Sequence, residues 1–252
     1  MGRGDMGFDG MYSLRAVEAW IAVINSNLNG TTRIGYKGSK LKFKGGVTEV
    51  VRAPQNALQG IQLPESALHT DQTSIDFSQG SIINSPELSH VAIQGGGFFI
   101  LSDGVTQYYT RDGEFHINSA GLLFNSQGLQ VLGTGLAQAS VTAGNFANFN
   151  PATGFNMTGA LRVAVTSTAA VNLQGLQFSK YGSTVFTAGT SGMAGEGLMA
   201  GTSVINQSLE TSNTSLSQSI PELSLASKMF SAVSKIISVH QTDLDTVINL
   251  IR

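Results

Sequence analysis

Four histidines and two pairs of neighbouring carboxylates are the residues best equipped for chemistry in this chain. His69, His90, His116 and His240 are scattered, and none has the His-x-x-x-His spacing that puts two imidazoles on one helix face for a metal. His240 falls within an apolar repeat, where a polar residue that fixes register is the ordinary reading. His116 lies in a strand-like run and reads as a surface residue. Asp71 with Asp76, and Asp112 with Glu114, could share acid and base roles. Their turn-rich surroundings instead suggest solvated turn residues. No Asp-x-Asp-x-Asp run suits calcium, and no Gly-x-Ser-x-Gly elbow presents a nucleophile. Gly95-Gly96-Gly97 precedes an aromatic strand rather than a helix. It lacks the helix N-terminus that would bind phosphate and reads as a turn or bulge. The chain has no cysteine, so disulfides, thiol nucleophiles and thiolate-bound zinc are excluded. The residues argue for no enzyme, metal, cofactor or small-molecule substrate.

Composition points away from charged partners. Only 12% of residues are charged, about half the usual share. The net charge of −2 offers no basic excess for nucleic acid. A weakly charged surface rich in Gly, Ser, Thr and Asn suits packing against other copies, where each buried charge is costly. No apolar run reaches the roughly 18 residues of a membrane-spanning helix. Residues 1–10 lack an apolar stretch of the kind that marks a Sec signal peptide, so export, if it occurs, uses another route. Those ten residues include four glycines and read as a disordered leader. Arg3-Gly4-Asp5 spells an adhesion tripeptide, for which a mobile tail is the plainer reading.

The elements that must position anything of interest are two helices and a β-rich middle. Leu14, Val17, Ile21, Ile24 and Leu28 are spaced 3, 4, 3, 4. Leu223, Ala226, Phe230, Val233, Ile237, His240, Leu244, Val247 and Ile251 continue that spacing at the other end. This is the apolar seam of a coiled coil. The first helix is expected over 11–29 and the second from about Ser215 to Arg252, with Pro221 either starting or bending it. From Pro221 to Ile251 the second would run about 46 Å, too long for a small β body to bury.

Lys37, Lys40, Lys42 and Lys44 form a short basic patch, read as a solvated linker face or a contact with an acidic or lipid partner. Residues 41–74 carry Pro54 and Pro64 and read as an extended linker. From about Ile75, short strand-forming runs alternate with turns every 8–12 residues, the pattern of antiparallel β structure. They include 91–93, 98–101, 107–110, 114–117, 122–124 and 129–132, then 161–165, 171–178 and 184–187. Residues 188–203, with five glycines, read as loop.

The expected fold is α+β: long N- and C-terminal helices packed as a coiled coil around a central antiparallel β domain. Its parts are a leader (1–10), a discontinuous terminal helical assembly domain (11–40 and 205–252), a linker (41–74) and a β domain (75–204). Two functions fit: a self-assembling structural subunit, or a β-rich binding module oligomerised by helices. The seams favour the first. Trp20, the sole tryptophan, lies in a helix rather than on an exposed platform.

Four blocks of residues carry a resemblance. Asn27-Leu28-Asn29-Gly30-Thr31-Thr32-Arg33-Ile34-Gly35-Tyr36-Lys37 is similar to Asn-Asn-Ile-Ala-Asn-x-Asn-Thr-x-Gly-Tyr-Lys, keeping Asn27 and Gly35-Tyr36-Lys37. Val91-Ala92-Ile93-Gln94-Gly95-Gly96-Gly97-Phe98-Phe99 resembles Ala-Ile-x-Gly-x-Gly-Phe-Phe. Tyr109-Thr110-Arg111-Asp112-Gly113-Glu114-Phe115 matches Tyr-Thr-Arg-Asp-Gly-x-Phe. Leu209-Glu210-Thr211-Ser212-Asn213 is similar to Leu-Glu-x-Ser-Asn. These are motifs of the axial proteins of the bacterial flagellum, the rod and hook subunits. Gly30, Thr32 and Arg33 depart from the family pattern, as does Pro221, and Met11 stands where the family usually starts.

The resemblance implies a non-enzymatic subunit of a helical extracellular assembly, whose partners are copies of itself and other flagellar axial proteins. It also implies export through the flagellar type III channel and terminal helices that order on assembly. Hook subunits usually carry a further outer β domain, for which 252 residues leave no room, so the size resembles a rod subunit. A filament of the same fold repurposed outside motility is the alternative.

Overall fold

In a computed structural model of the protein, which describes residues 6–45, 49–51, 61–63, 67–132, 173–188 and 202–250, two helices bracket a set of antiparallel strands. The α+β class agrees with expectation. By contacts the chain divides into two units. The first comprises residues 1–28, 39–74 and 216–252; the second comprises 29–38 and 75–215.

The first unit is built on helix α1 (Met6–Gly30) and helix α2 (Leu216–Leu250). Helix α1 begins five residues before Met11. Val17 and Ile24 of its seam are buried; Leu14, Ile21 and Leu28 are half-buried. Helix α2 carries Pro221 in its sixth position and continues through it, so the ring removes one i→i−4 hydrogen bond without ending the helix. The two helices approach at Gly10, where an added Cβ would lie 2.8 Å from Ile237 Cγ1. Val17, further along α1, shares a groove with Met229 and Val233, which lie earlier on α2. The helices therefore run antiparallel.

Helix α2, at about 52 Å, is some 15 Å longer than α1. Its seam is covered only in part. Leu223, Phe230, Val233, Ile237 and His240 are half-buried and Ala226 is buried, whereas every residue from Gln241 to Leu250 is exposed. Leu244 and Val247 thus project to solvent, and Ile251 lies outside the described residues.

Residues 41–74, read as a linker, contain paired strands. β1 (Ser39–Gly45) neighbours β4 (Leu68–Ile75), and β2 (Glu49–Val51) pairs antiparallel with β3 (Ile61–Leu63). Along β1, Lys40, Lys42 and Lys44 face solvent while Leu41 and Phe43 turn inward, the two-residue period of a strand with one covered face. Phe43 meets the edge of Trp20 at 5.7 Å. Asn27 ties helix to strand: its side-chain amide donates to Ser39 O and accepts from Ser39 N, both at 2.8 Å.

The second unit holds two short ladders and a seven-stranded sheet. The ladders pair β5 (Ile82–Asn84) with β15 (Ser208–Glu210) and β6 (Val91–Gln94) with β14 (Ser203–Asn206). The segment 205–210, expected to belong with the terminal helical domain, thus lies in strands β14 and β15 and the bend between them. The large sheet has the order β12 (Leu176–Ser179), β13 (Gly182–Ala188), β8 (Gln107–Thr110), β7 (Phe99–Ser102), β11 (Gln130–Leu132), β10 (Leu123–Phe124), β9 (His116–Ile117). A 3₁₀ turn at Leu173–Gly175 precedes β12, where a strand from 171 was expected. The expected strand 161–165 and loop 188–203 fall wholly or mostly outside the described residues.

Both faces of this sheet are covered. Phe99, Leu101, Tyr108, Val131 and Val185 pack with Phe115 on one face; Phe98, Ile100, Tyr109, Leu132 and Phe186 pack on the other. The register produces this division, because Ile100 faces Tyr109 and Leu101 faces Tyr108 across the β7–β8 pair. Adjacent residues point to opposite faces.

Candidate functional site

All four motif blocks, distant in sequence, meet in the second unit around the buried carboxylate of Glu210. Gly35 has φ +64°, and its N–H donates to Glu210 O at 2.7 Å. A Cβ at Gly35 would lie 2.3 Å from Asp112 N, so only glycine lets the 29–38 segment cross the Arg111–Asp112 backbone. Gly113 is as tightly held: a Cβ there would sit 1.6 Å from Val91 O.

Glu210 is fully buried and binds two cations. Its Oε1 accepts from Lys37 Nζ at 2.5 Å and from Gly80 N at 2.9 Å. Its Oε2 accepts from Arg111 Nη1 at 3.0 Å. Lys37 Nζ also donates to Ser78 O at 2.7 Å, and Arg111 Nη2 to Gly95 O at 2.7 Å. The Arg111 guanidinium lies over the Phe98 ring, 5.3 Å from its centre. Burial pulls the pKa of Lys37 and of Arg111 down, against the opposing field and hydrogen bond of Glu210. Lys37 is therefore no part of a solvated basic face, unlike Lys40, Lys42 and Lys44. It is a core residue whose charge is satisfied by a carboxylate 173 positions away.

Asn213 closes the cluster. Its Oδ1 accepts from Gly38 N at 2.8 Å, and its Nδ2 donates to Asp76 O at 2.7 Å. Asn213 N donates to Tyr36 O at 3.4 Å. Tyr36 is buried against Gly30, where a Cβ would overlap its ring at 2.3 Å. Thr110 Oγ1 donates to Thr184 O and accepts from Asp112 N, locking the end of β8. Gly95 and Gly97 take φ of 107° and 108°, so the glycine run is the expected turn. Leu209 is buried, and Ser212 Oγ pairs with Thr214 Oγ1 at 2.7 Å.

Asp112 is buried rather than a solvated turn residue. Desolvation pushes its pKa up to about 7, opposed by the Glu114 N–H that its Oδ1 accepts at 3.0 Å. Among the described residues no group of three or more His, Asp or Glu is placed to hold a metal ion. Every charge in the cluster is turned into the protein, so the arrangement joins segments rather than offering groups to a substrate.

The comparisons with known proteins fall on these same segments. Residues 92–183 match the family model of the flagellar hook protein FlgE/F/G D1 domain. The flagellar basal-body rod protein FlgG of Bacillus subtilis is 25% identical over 264 residues, covering 97% of this chain and 98% of that protein. The chain is similar to the flagellar rod and hook protein family over these segments. The flagellar hook protein FlgE of Helicobacter pylori is 34% identical over 134 residues, half of this chain but 19% of the hook protein. FlgG of Buchnera aphidicola is 34% identical over 118 residues, 43% of this chain and 45% of that protein. This is a structural, non-enzymatic family. In this chain the motif residues Gly35, Lys37, Arg111, Gly113, Glu210 and Asn213 come together, whereas the seam residues of the helices lie in the other unit.

Sequence reasoning missed several participants. Gly80, Ser78 and the Asp76 carbonyl bind the cluster, and Gln79 bridges Ile93 O and Gly95 N at 2.9 and 3.0 Å. The signal available was the polar Ser78-Gln79-Gly80 string, which interrupts the β pattern just after Phe77. A Cβ on Gly80 would lie 2.0 Å from Thr211 O.

Proposed function

We propose that the protein is a rod-type structural subunit of the flagellar axial assembly, polymerising with copies of itself and joining other axial proteins through its terminal helices. The observation that carries this reading is the alignment to a basal-body rod protein along nearly the whole of both chains. The exposed apolar residues of α2 support it. Leu244, Val247, Ile248 and Leu250 are between 47% and 81% exposed, a poor arrangement for a helix that stays alone in water.

In the assembly, the seams of α1 and α2 pack as coiled-coil-like contacts among neighbouring subunits. The ion cluster gives the β body one rigid arrangement, so that load on the helices is borne by a stiff shell. Burial of one Leu or Ile contributes about 1.5–3 kcal/mol, and repetition makes a cohesive shaft. No helix among the described residues is long and apolar enough to cross a membrane. The test is electron microscopy of the concentrated protein. Filaments of regular diameter are expected; a protein that stays monomeric at every concentration, alone and with other rod proteins, would refute the reading.

A further inference from the structure

The last turns of α2 and the groove beside β1 are matched surfaces that one chain cannot bring together. The groove, of about 420 Å³, is lined by Val17, Phe43, Ala67, Leu68, Met229 and Val233. Its rim carries Lys44, whose side chain is 62% exposed and lies 3.8 Å from Asp71. Lys40 and Lys42 extend the same outward face, so the strand presents a run of exposed lysines at this edge. At the end of α2, Leu244, Val247 and Ile248 form one stripe at i, i+3 and i+4. Asp243 and Asp245 flank it, about 100° to either side of Leu244. They are the only acidic residues of the helix after Glu222.

Leu244 is eleven residues beyond Val233, about 16 Å along a continuous helix, so the tail cannot fold back into its own groove. We propose that the final three turns of α2 dock in the groove of a second copy, with Asp243 and Asp245 against the Lys42–Lys44 edge. The contact is heterologous, tail to groove, and repetition of such a contact generates an open helix rather than a closed pair. Apolar burial supplies its cohesion, and the charge pairing sets register and suppresses wrong contacts. The inference rests on the self-assembly reading above and adds which surface meets which.

The absence of cysteine permits a direct test. Lys44→Cys chains mixed with Asp245→Cys chains should form a disulfide-linked mixed dimer on mild oxidation, since a bridge requires Cα atoms within about 7 Å. Asp245→Cys mixed with Val105→Cys, at an exposed hairpin tip in the other unit, is the control. A second arm reverses charge at exposed positions, sparing the fold. Lys42→Glu with Lys44→Glu, or Asp243→Lys with Asp245→Lys, should each raise the critical concentration for assembly about tenfold, or about 1.4 kcal/mol. All four changes together should restore it. If wild-type protein assembles but the Lys44–Asp245 pair cross-links no better than the control, or the fourfold variant is as impaired as either double one, the docking mode is wrong and self-assembly stands. If wild-type protein never self-associates, both are wrong.

Discussion

At the scale of single residues, the buried ion cluster has the most at stake. Glu210 pairs with both Lys37 and Arg111, which are sealed from water. A buried ion pair adds little net stability over an apolar replacement, but removing one partner leaves charge uncompensated in a poorly polarisable interior. Glu210→Gln should therefore lower unfolding free energy by about 3–5 kcal/mol in urea titration. A loss below about 1 kcal/mol would mean that the two cations find water in the folded protein.

Asp112 makes a prediction with a definite sign. Its pKa rises from 3.8 in a solvated chain to about 7 here, chiefly through desolvation, with Glu114 adding like charge and Arg33 opposing it. The folded protein thus keeps a proton that the unfolded chain gives up from about pH 4. This group's contribution to stability falls as pH climbs towards 7 and is constant above that. Asp112→Asn should match wild type near pH 4 and exceed it at pH 8, by on the order of 4 kcal/mol. Thermal unfolding of both proteins across that range checks it; parallel curves would show that Asp112 is solvated after all.

At the scale of elements, the β7 strand and helix α2 behave differently. Phe98 and Phe99 are neighbours in sequence, yet each is buried, Phe98 with Phe77 and Phe186, Phe99 with Phe115. Alternation alone leads one to expect a single inward face; the sheet is covered on both. Phe98→Ala and Phe99→Ala should each cost about 3–5 kcal/mol in chemical denaturation. A near-neutral Phe98→Ala would mean that its face is open to solvent.

For α2, Val233 lies on the half-buried seam while Ser231 is exposed and bonds back to Ser227 O at 3.0 Å. Val233→Asp should block polymerisation, since an unpaired carboxylate would be buried on packing. It should leave the unfolding of the β unit unchanged. Ser231→Asp should be milder. Sedimentation of the two variants ranks them, and the reverse ranking would place the seam on the wrong face.

At the scale of the whole molecule, the division into two units predicts separable behaviour. Glu210 and Asn213, the C-terminal members of the cluster, precede Ser215, so truncation there removes α2 and spares every cluster residue. The truncated protein should remain folded by near-ultraviolet circular dichroism and lose assembly. Filaments indistinguishable from those of the full chain would show that α2 is dispensable.

Local pattern alone determined the helical ends, the antiparallel character of the middle and the family motifs, because periods of 3.5 and 2 and glycine-rich turns are written within short windows. The full-length α2 and the strands at 91–94, 99–102 and 107–110 follow from that information. Only the tertiary structure decided that Lys37 leaves the lysine run to meet Glu210, that Asp112 is buried, and that Gly35 and Gly113 are glycine because backbone crosses them. Each depends on a partner far along the chain, and desolvation of a charge is a property of the packed surroundings rather than of its neighbours in sequence. The extent to which the α2 seam is covered was equally invisible. It depends on where a shorter antiparallel α1 stops, and the apolar spacing continues unchanged past that point.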